Sequence, residues 1–174
     1  MVVLSSKLVT VPYDSKAVAN YFLGLAEREG ESLDPMKLQK LVYFAHGWHL
    51  AVTGEPLIDD IVEAWQYGPV IPTIYHEFKE FGRGAITRRA RRVVISGSKI
   101  RFVFPELDPS VDTELLDRVW DAYGGTSGVQ LSNLTHAAGT PWDKIWTANH
   151  GRKNADIPDE LIKEYFVASL NAAD

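Results

Sequence analysis

The run MKLQKLVYFAHGWHLAVTGEPL, Met36 to Leu57, constrains what this chain can fold into more than any other segment. Asp34 is a good cap, Pro35 suits a first helical position where its missing amide costs nothing, and Gly54 follows the last turn, so the punctuation predicts a helix over residues 35–53. Advancing ~100° per residue, Leu38, Leu41, Ala45, Trp48 and Val52 form one stripe, while Tyr43, Phe44 and Leu50 fall on other sides. Only Lys37 and Lys40 ask for water, so after its first turn this helix should be surrounded by protein. A helix apolar on nearly every side belongs at the centre of a fold.

The flanking elements fit that role. Asp14 caps a predicted amphipathic helix from Ser15 to about Glu29, in which Val18, Tyr21, Phe22, Leu25 and Ala26 recur at helical spacing before Gly30. The connector LIDDIVEAWQYGPV, Leu57 to Val70, reads as extended or as a short helix. Pro72 then opens a short helix with Ile74, Tyr75, Phe78 and Phe81 facing inward. VVISGSKIRFVF alternates with period two around Ser96, Gly97 and Ser98, the mark of a β-hairpin, with Ile100, Phe102 and Phe104 on one side and Lys99 and Arg101 on the other. Beyond Pro105 the pattern is helical again: a segment capped by Asp112, then Val129 to Ala138, then helices opened by Thr140 with Pro141 and by Pro158. The expectation is a mainly α fold, a compact helical domain around the central helix with a small hairpin at about 86–104. At 174 residues a single domain over 1–174 is expected, with 1–13 as an N-terminal tail.

Composition narrows the function classes. With 45% apolar and 24% charged residues the chain is an ordinary folding sequence. It has no cysteine, which excludes disulfides, thiolate nucleophiles and Cys-ligated metals. No basic n-region with an apolar core opens it, and no apolar run reaches the ~18 residues of a spanning helix, so a cytoplasmic protein without membrane attachment is expected. Net charge is −5, yet Arg83, Arg88, Arg89, Arg91, Arg92, Lys99 and Arg101 place +7 between Phe81 and Pro105 and leave −12 elsewhere. The arm Arg88 to Arg92 admits two readings: forked guanidinium groups for phosphate, as in operator DNA, or for an acidic partner, and a solvated strand whose charges discourage edge pairing.

No catalytic set is complete. His46 and His49 have a spacing that could share a metal, and His136 could join them in a metal hydrolase, but no H-E-x-x-H pattern accompanies them. His49 falls within the apolar stripe, where a neutral histidine bonded to backbone is the ordinary outcome. Ser132, His136 and Asp143 could be drawn as a triad, but without a nucleophile elbow, and helix capping and local hydrogen bonding explain Ser132, Asn133 and Thr135. Phosphate-binding glycine motifs are absent. No cofactor and no metal are expected. The conspicuous side chains that no core face claims are Trp65, Tyr67 and Pro69 in the connector, and Arg88, Arg89, Arg91, Arg92, Lys99 and Arg101 around the hairpin. These are the candidate partner-binding residues.

Two runs carry a family resemblance. KLQKLVYFAHGWHLAVTGEPLIDDIVEAWQYGPVIPTIYHEFKEFG, ending at Gly82, is similar to the signature of the Panacea domain, the SocA-like antitoxin family, and LSNLTHAAGTPWDKIW, Leu131 to Trp146, resembles it more loosely. The resemblance implies a mainly helical domain with a small hairpin that serves as the antitoxin of a bacterial or phage-borne toxin–antitoxin pair. Its partner would be a cognate toxin from an adjacent gene, with delivery of that toxin to a protease as one route of neutralisation. The resemblance supplies no catalytic residues.

Overall fold

The computed structural model describes residues 12–172. Helix α1 (Ser15–Arg28) and helix α2 (Pro35–Thr53) begin where the sequence signals place them: Asp14 accepts from the Lys16 amide, Asp34 from the Lys37 amide, and Gly54 closes α2 in the left-handed region. Strands β1 (Val62–Trp65) and β2 (Gly68–Val70) form a tight antiparallel pair, followed by α3 (Pro72–Phe78) and a 3-10 turn (Lys79–Phe81). Strands β3 (Arg92–Ser96) and β4 (Lys99–Val103) are the expected hairpin. Helices α4 (Glu114–Tyr123), α5 (Gly128–Thr135) and α6 (Pro141–Ala148), strand β5 (Ala155–Ile157) and helix α7 (Asp159–Asn171) complete the chain. The fold is mainly α with a small hairpin.

Helix α2 is the axis. It packs against α1, α3, α4, α5 and α7, and Leu38, Leu41, Val42 and Ala45 lose all contact with water. Burying each large side chain contributes roughly 1.5–3 kcal/mol, so α2 contributes most where no face is left free. An aromatic cluster ties it to α4 and α7: Phe44 stacks on Tyr123 at 4.5 Å, and Phe166 meets Trp48 edge-on at 4.9 Å. Gly47 makes this possible, because a Cβ there would lie 2.3 Å from the Phe166 ring.

Several expectations need correction. Lys37 and Lys40 are buried, and the end of α2 that meets water is its last turn, where Val52 is exposed. Each lysine has a carbonyl partner: Lys37 Nζ donates to Gly124 O and Lys40 Nζ to Pro69 O. The Leu57–Val70 connector takes the extended of its two expected forms, as a β-hairpin, and beyond that expectation β5 joins it to make a three-stranded sheet in the order β2-β1-β5. Tyr75 lies at the surface, since α3 buries only Ile74 and Phe78. Thr113 rather than Asp112 occupies the cap position of α4, although Asp112 still accepts from the Glu114 amide. Most of the expected tail, residues 1–11, lies outside the described residues, while Tyr13 donates its amide to Leu57 O at 2.7 Å. No helix among the described residues is long and apolar enough to cross a membrane.

Candidate partner-binding surface

The two runs that carry the family resemblance meet at the β1–β2 turn. Trp65 pairs with Gly68 across it, leaving Gln66 and Tyr67 at the tip. Its carbonyls are gripped one after another: Trp142 Nε1 donates to Trp65 O at 2.7 Å, Ser132 Oγ to Tyr67 O at 2.9 Å and Lys40 Nζ to Pro69 O at 3.0 Å, while His136 Nε2 stands 3.1 Å from Gln66 O. Gln39 closes the base, accepting from the Ile71 amide at 2.9 Å and donating to Ile71 O at 3.0 Å. Buried backbone groups need such partners, and here α2, α5 with its C-cap His136, and α6 supply the partners of this turn. Gly68 has φ +105, and a Cβ there would lie 2.6 Å from Thr135 Oγ1 and 2.9 Å from Lys40 Nζ, so only glycine fits. Burial pushes the Lys40 ammonium down to about 7.

This grip decides which connector residues reach solvent. Pro69 is buried against Lys40, which removes it from any surface. Tyr67 is 59% exposed at the tip, and Trp65 is half-buried, with Tyr75 edge-on at 4.7 Å and Lys153 Nζ 5.7 Å from its ring. Trp65 and Tyr75 thus form an aromatic pair beside a turn that the clamp holds from behind, with Tyr67 exposed at its tip.

The basic segment divides in two. Arg88 and Arg89 are not strand residues; they run past α1 and α3 and are spent on acids. Arg88 pairs with Glu77 and Glu80 and lies 5.6 Å from the Phe78 and Phe81 rings; Arg89 pairs with Glu27 and Arg92 with Asp14. Burial pushes the Glu77 carboxyl up, but Lys16, Arg88 and the Arg91 amide outweigh it and hold the group below its ordinary value. Arg91 lies 4.5 Å from the Phe102 ring, and Lys99 and Arg101 are exposed with no acid partner among the described residues. The sequence reading missed Asn20, a buried residue of α1 whose side chain bonds Ala90 N, Ala90 O and Pro105 O at 2.6, 3.0 and 2.8 Å. Asn20 therefore pins both legs of the β3–β4 hairpin. The available signal was an amide among the core spacings Ala17 and Leu23.

The groups weighed for catalysis serve the fold. Leu57 N donates to His46 Nδ1, so His46 Nε2 carries the proton and donates to Asp159 Oδ1 at 2.9 Å, tying α2 to α7. His49 Nδ1 donates to Glu55 O at 2.7 Å, and burial pushes its pKa down. His136, at the β1–β2 turn, is engaged with the Ser132 and Gln66 carbonyls, while Ser132 reaches across to Tyr67 rather than bonding locally. Asp143 accepts from the Gly139 amide, so no Ser–His–Asp relay forms. Among the described residues no group of three or more metal-ligating side chains is placed to hold an ion.

The family described as "Antitoxin SocA-like, Panacea domain" matches residues 38–143, which span α2 through the start of α6 and so include the whole clamp. "Antitoxin SocA" of Caulobacter vibrioides (strain NA1000 / CB15N) is 39% identical over 158 residues, covering 88% of this chain and 82% of that protein. No solved structure matches the chain.

Proposed function

Since the chain belongs to the SocA-like antitoxin family with its Panacea domain, we propose that it neutralises a cognate protein toxin by direct binding in the cytoplasm. The observation that carries the reading is its likeness over 88% of its length to a named antitoxin. The internal chemistry supports a binding role: His46, His49, His136, Ser132 and Asp143 are spent on structural hydrogen bonds that hold surfaces in place. We place the contacts on Trp65 and Tyr67 at the β1–β2 turn and on the hairpin with Arg91, Arg92, Lys99 and Arg101. Arg88 and Arg89 support that hairpin through their acids. The partner is the product of an adjacent gene.

Co-expression tests this. The neighbouring gene's product, toxic alone, should be tolerated with this protein and co-purify with it. A product that is harmless alone, or that stays lethal and unbound, overturns the reading. The amount of toxin separates two routes: it persists under occlusion and falls if the complex is delivered to a protease.

A further inference from the structure

We propose that the apolar face of the β3–β4 hairpin is the element that inserts into the partner, a protein cleft with an apolar floor and a rim of carboxylates. The inference rests on the antitoxin reading and assigns its main contact to residues outside the basic set.

The register pairs Val93 with Phe102 and Ile95 with Ile100, and directly opposed residues of an antiparallel pair share a face. Those four side chains make one apolar surface, yet Val93 and Phe102 are each 53% exposed, Ile95 is 70% and Ile100 is 67%. The half-buried Val94 sits on the other face with Arg101 and Lys99, so the apolar face looks away from the body. Contiguous apolar surface on an unpaired sheet is a standing aggregation liability unless something covers it.

The hairpin is also built to be presented. Asn20 holds both legs, Lys16 Nζ donates to Arg91 O at 2.8 Å, Glu77 accepts from the Arg91 amide at 3.2 Å, and Arg92 is fastened to Asp14. Anchoring at the base with a bare tip fixes the conformation before binding, which lowers the ordering cost of an interface.

Charge selects the occupant. No acid lies between Phe81 and Pro105; Arg91 lies beside the apolar face against Phe102, and Lys99 and Arg101 stand on the opposite face, all three without an acid partner among the described residues. A second copy docking through the same hairpin would bring together two acid-free ribbons that each carry unpaired cations, and that repulsion disfavours it. A partner with carboxylates around an apolar cleft satisfies both features.

The test uses the full chain and the purified product of the adjacent gene. Ile95→Ser with Ile100→Ser changes only exposed positions, so the unfolding midpoint should stay at the wild-type value while affinity falls by roughly tenfold or more, as for central contacts. Lys99→Glu with Arg101→Glu should slow association by about tenfold at low salt and leave less difference at high salt. Unchanged affinity and protection in the serine variant, with wild-type protein still protecting, overturns the hairpin proposal and leaves the antitoxin reading standing. Faster or equal association of the charge-reversed variant overturns the acidic rim. A wild-type dimer in light scattering that the serine variant converts to monomer assigns the face to self-association and overturns the proposal as well. Failure of wild-type protein to bind the product overturns both readings together.

Discussion

At Lys40 the fold keeps an ammonium out of water with one backbone carbonyl, Pro69 O, as its partner. Burial of the charged form is costly, which is why the group titrates at about 7 in the fold; in an unfolded chain it does so near ~10.4. Between those values the unfolded state binds more protons, so stability rises with pH across the window, and below about 7 the penalty is fully present. The expected slope approaches about 1.4 kcal/mol per pH unit between roughly pH 7.5 and 9. His49, lowered by burial, adds a loss of the same sign below its own unfolded value. Urea unfolding across this window should show wild-type protein gaining stability while Lys40→Met stays nearly flat. Equal slopes in both would show that Lys40 remains charged and hydrated. Lysine is normally a solvent residue, and the sequence could not reveal otherwise because its acceptor lies 29 positions away. A weak signal was present in Tyr43 and Phe44, apolar at the two positions that share its helix face.

Among the elements, legibility followed the range of the interactions that stabilise them. Helix α2 was legible from Asp34, Pro35 and Gly54 because caps act within one turn, and the β3–β4 hairpin from alternation around Gly97. The three-stranded sheet was not, since β2 and β5 have three residues each and β5 joins β1 across most of the chain. The candidate surface was half legible: Trp65 and Tyr67 stood out by composition, but Pro69 is buried against a lysine from α2 and Arg88 is paired with glutamates of α3 and the 3-10 turn, partners no local pattern names. Gly47 exposes the same division. By propensity Gly47→Ala should stabilise a helix by about 1 kcal/mol. In the fold the new methyl meets Phe166 ring atoms 2.3–2.5 Å away, and that ring is wedged among Tyr43, Phe44 and Trp48. Overpacking costs about 1–3 kcal/mol or more, so the clash wins and Gly47→Ala should lower the urea midpoint. Adding Phe166→Leu should recover part of the loss, and a stabilised single variant would mean that α7 yields freely.

Over the whole molecule, charge is distributed so that the basic segment lies along its own acids. Glu27, Glu77, Glu80 and Asp14 engage Arg89, Arg88 and Arg92. Of the seven cations between Phe81 and Pro105, Arg83, Arg91, Lys99 and Arg101 have no acid partner among the described residues. That difference predicts how the protein treats DNA. Each phosphate neutralised contributes about −0.9 to the slope of log affinity against log salt. Four contacts therefore set a slope near about −3.6 and a loss of about two orders of magnitude between roughly 50 and 200 mM salt, whereas seven would give a slope near about −6 and a loss approaching four orders. Fluorescence anisotropy on the DNA upstream of the operon should find weak binding with a slope no steeper than about −4, abolished by Lys99→Glu with Arg101→Glu. A slope near about −6 would mean that Arg88, Arg89 and Arg92 leave their carboxylates for phosphate. The hairpin base would then be loosened by the same event, because Arg88 shares Glu77 with the Arg91 amide and Lys16, the contacts that hold β3 against α1 and α3. Tight DNA binding and a rigidly presented hairpin are thus competing uses of one set of ion pairs, and the intramolecular pairing favours presentation to a protein.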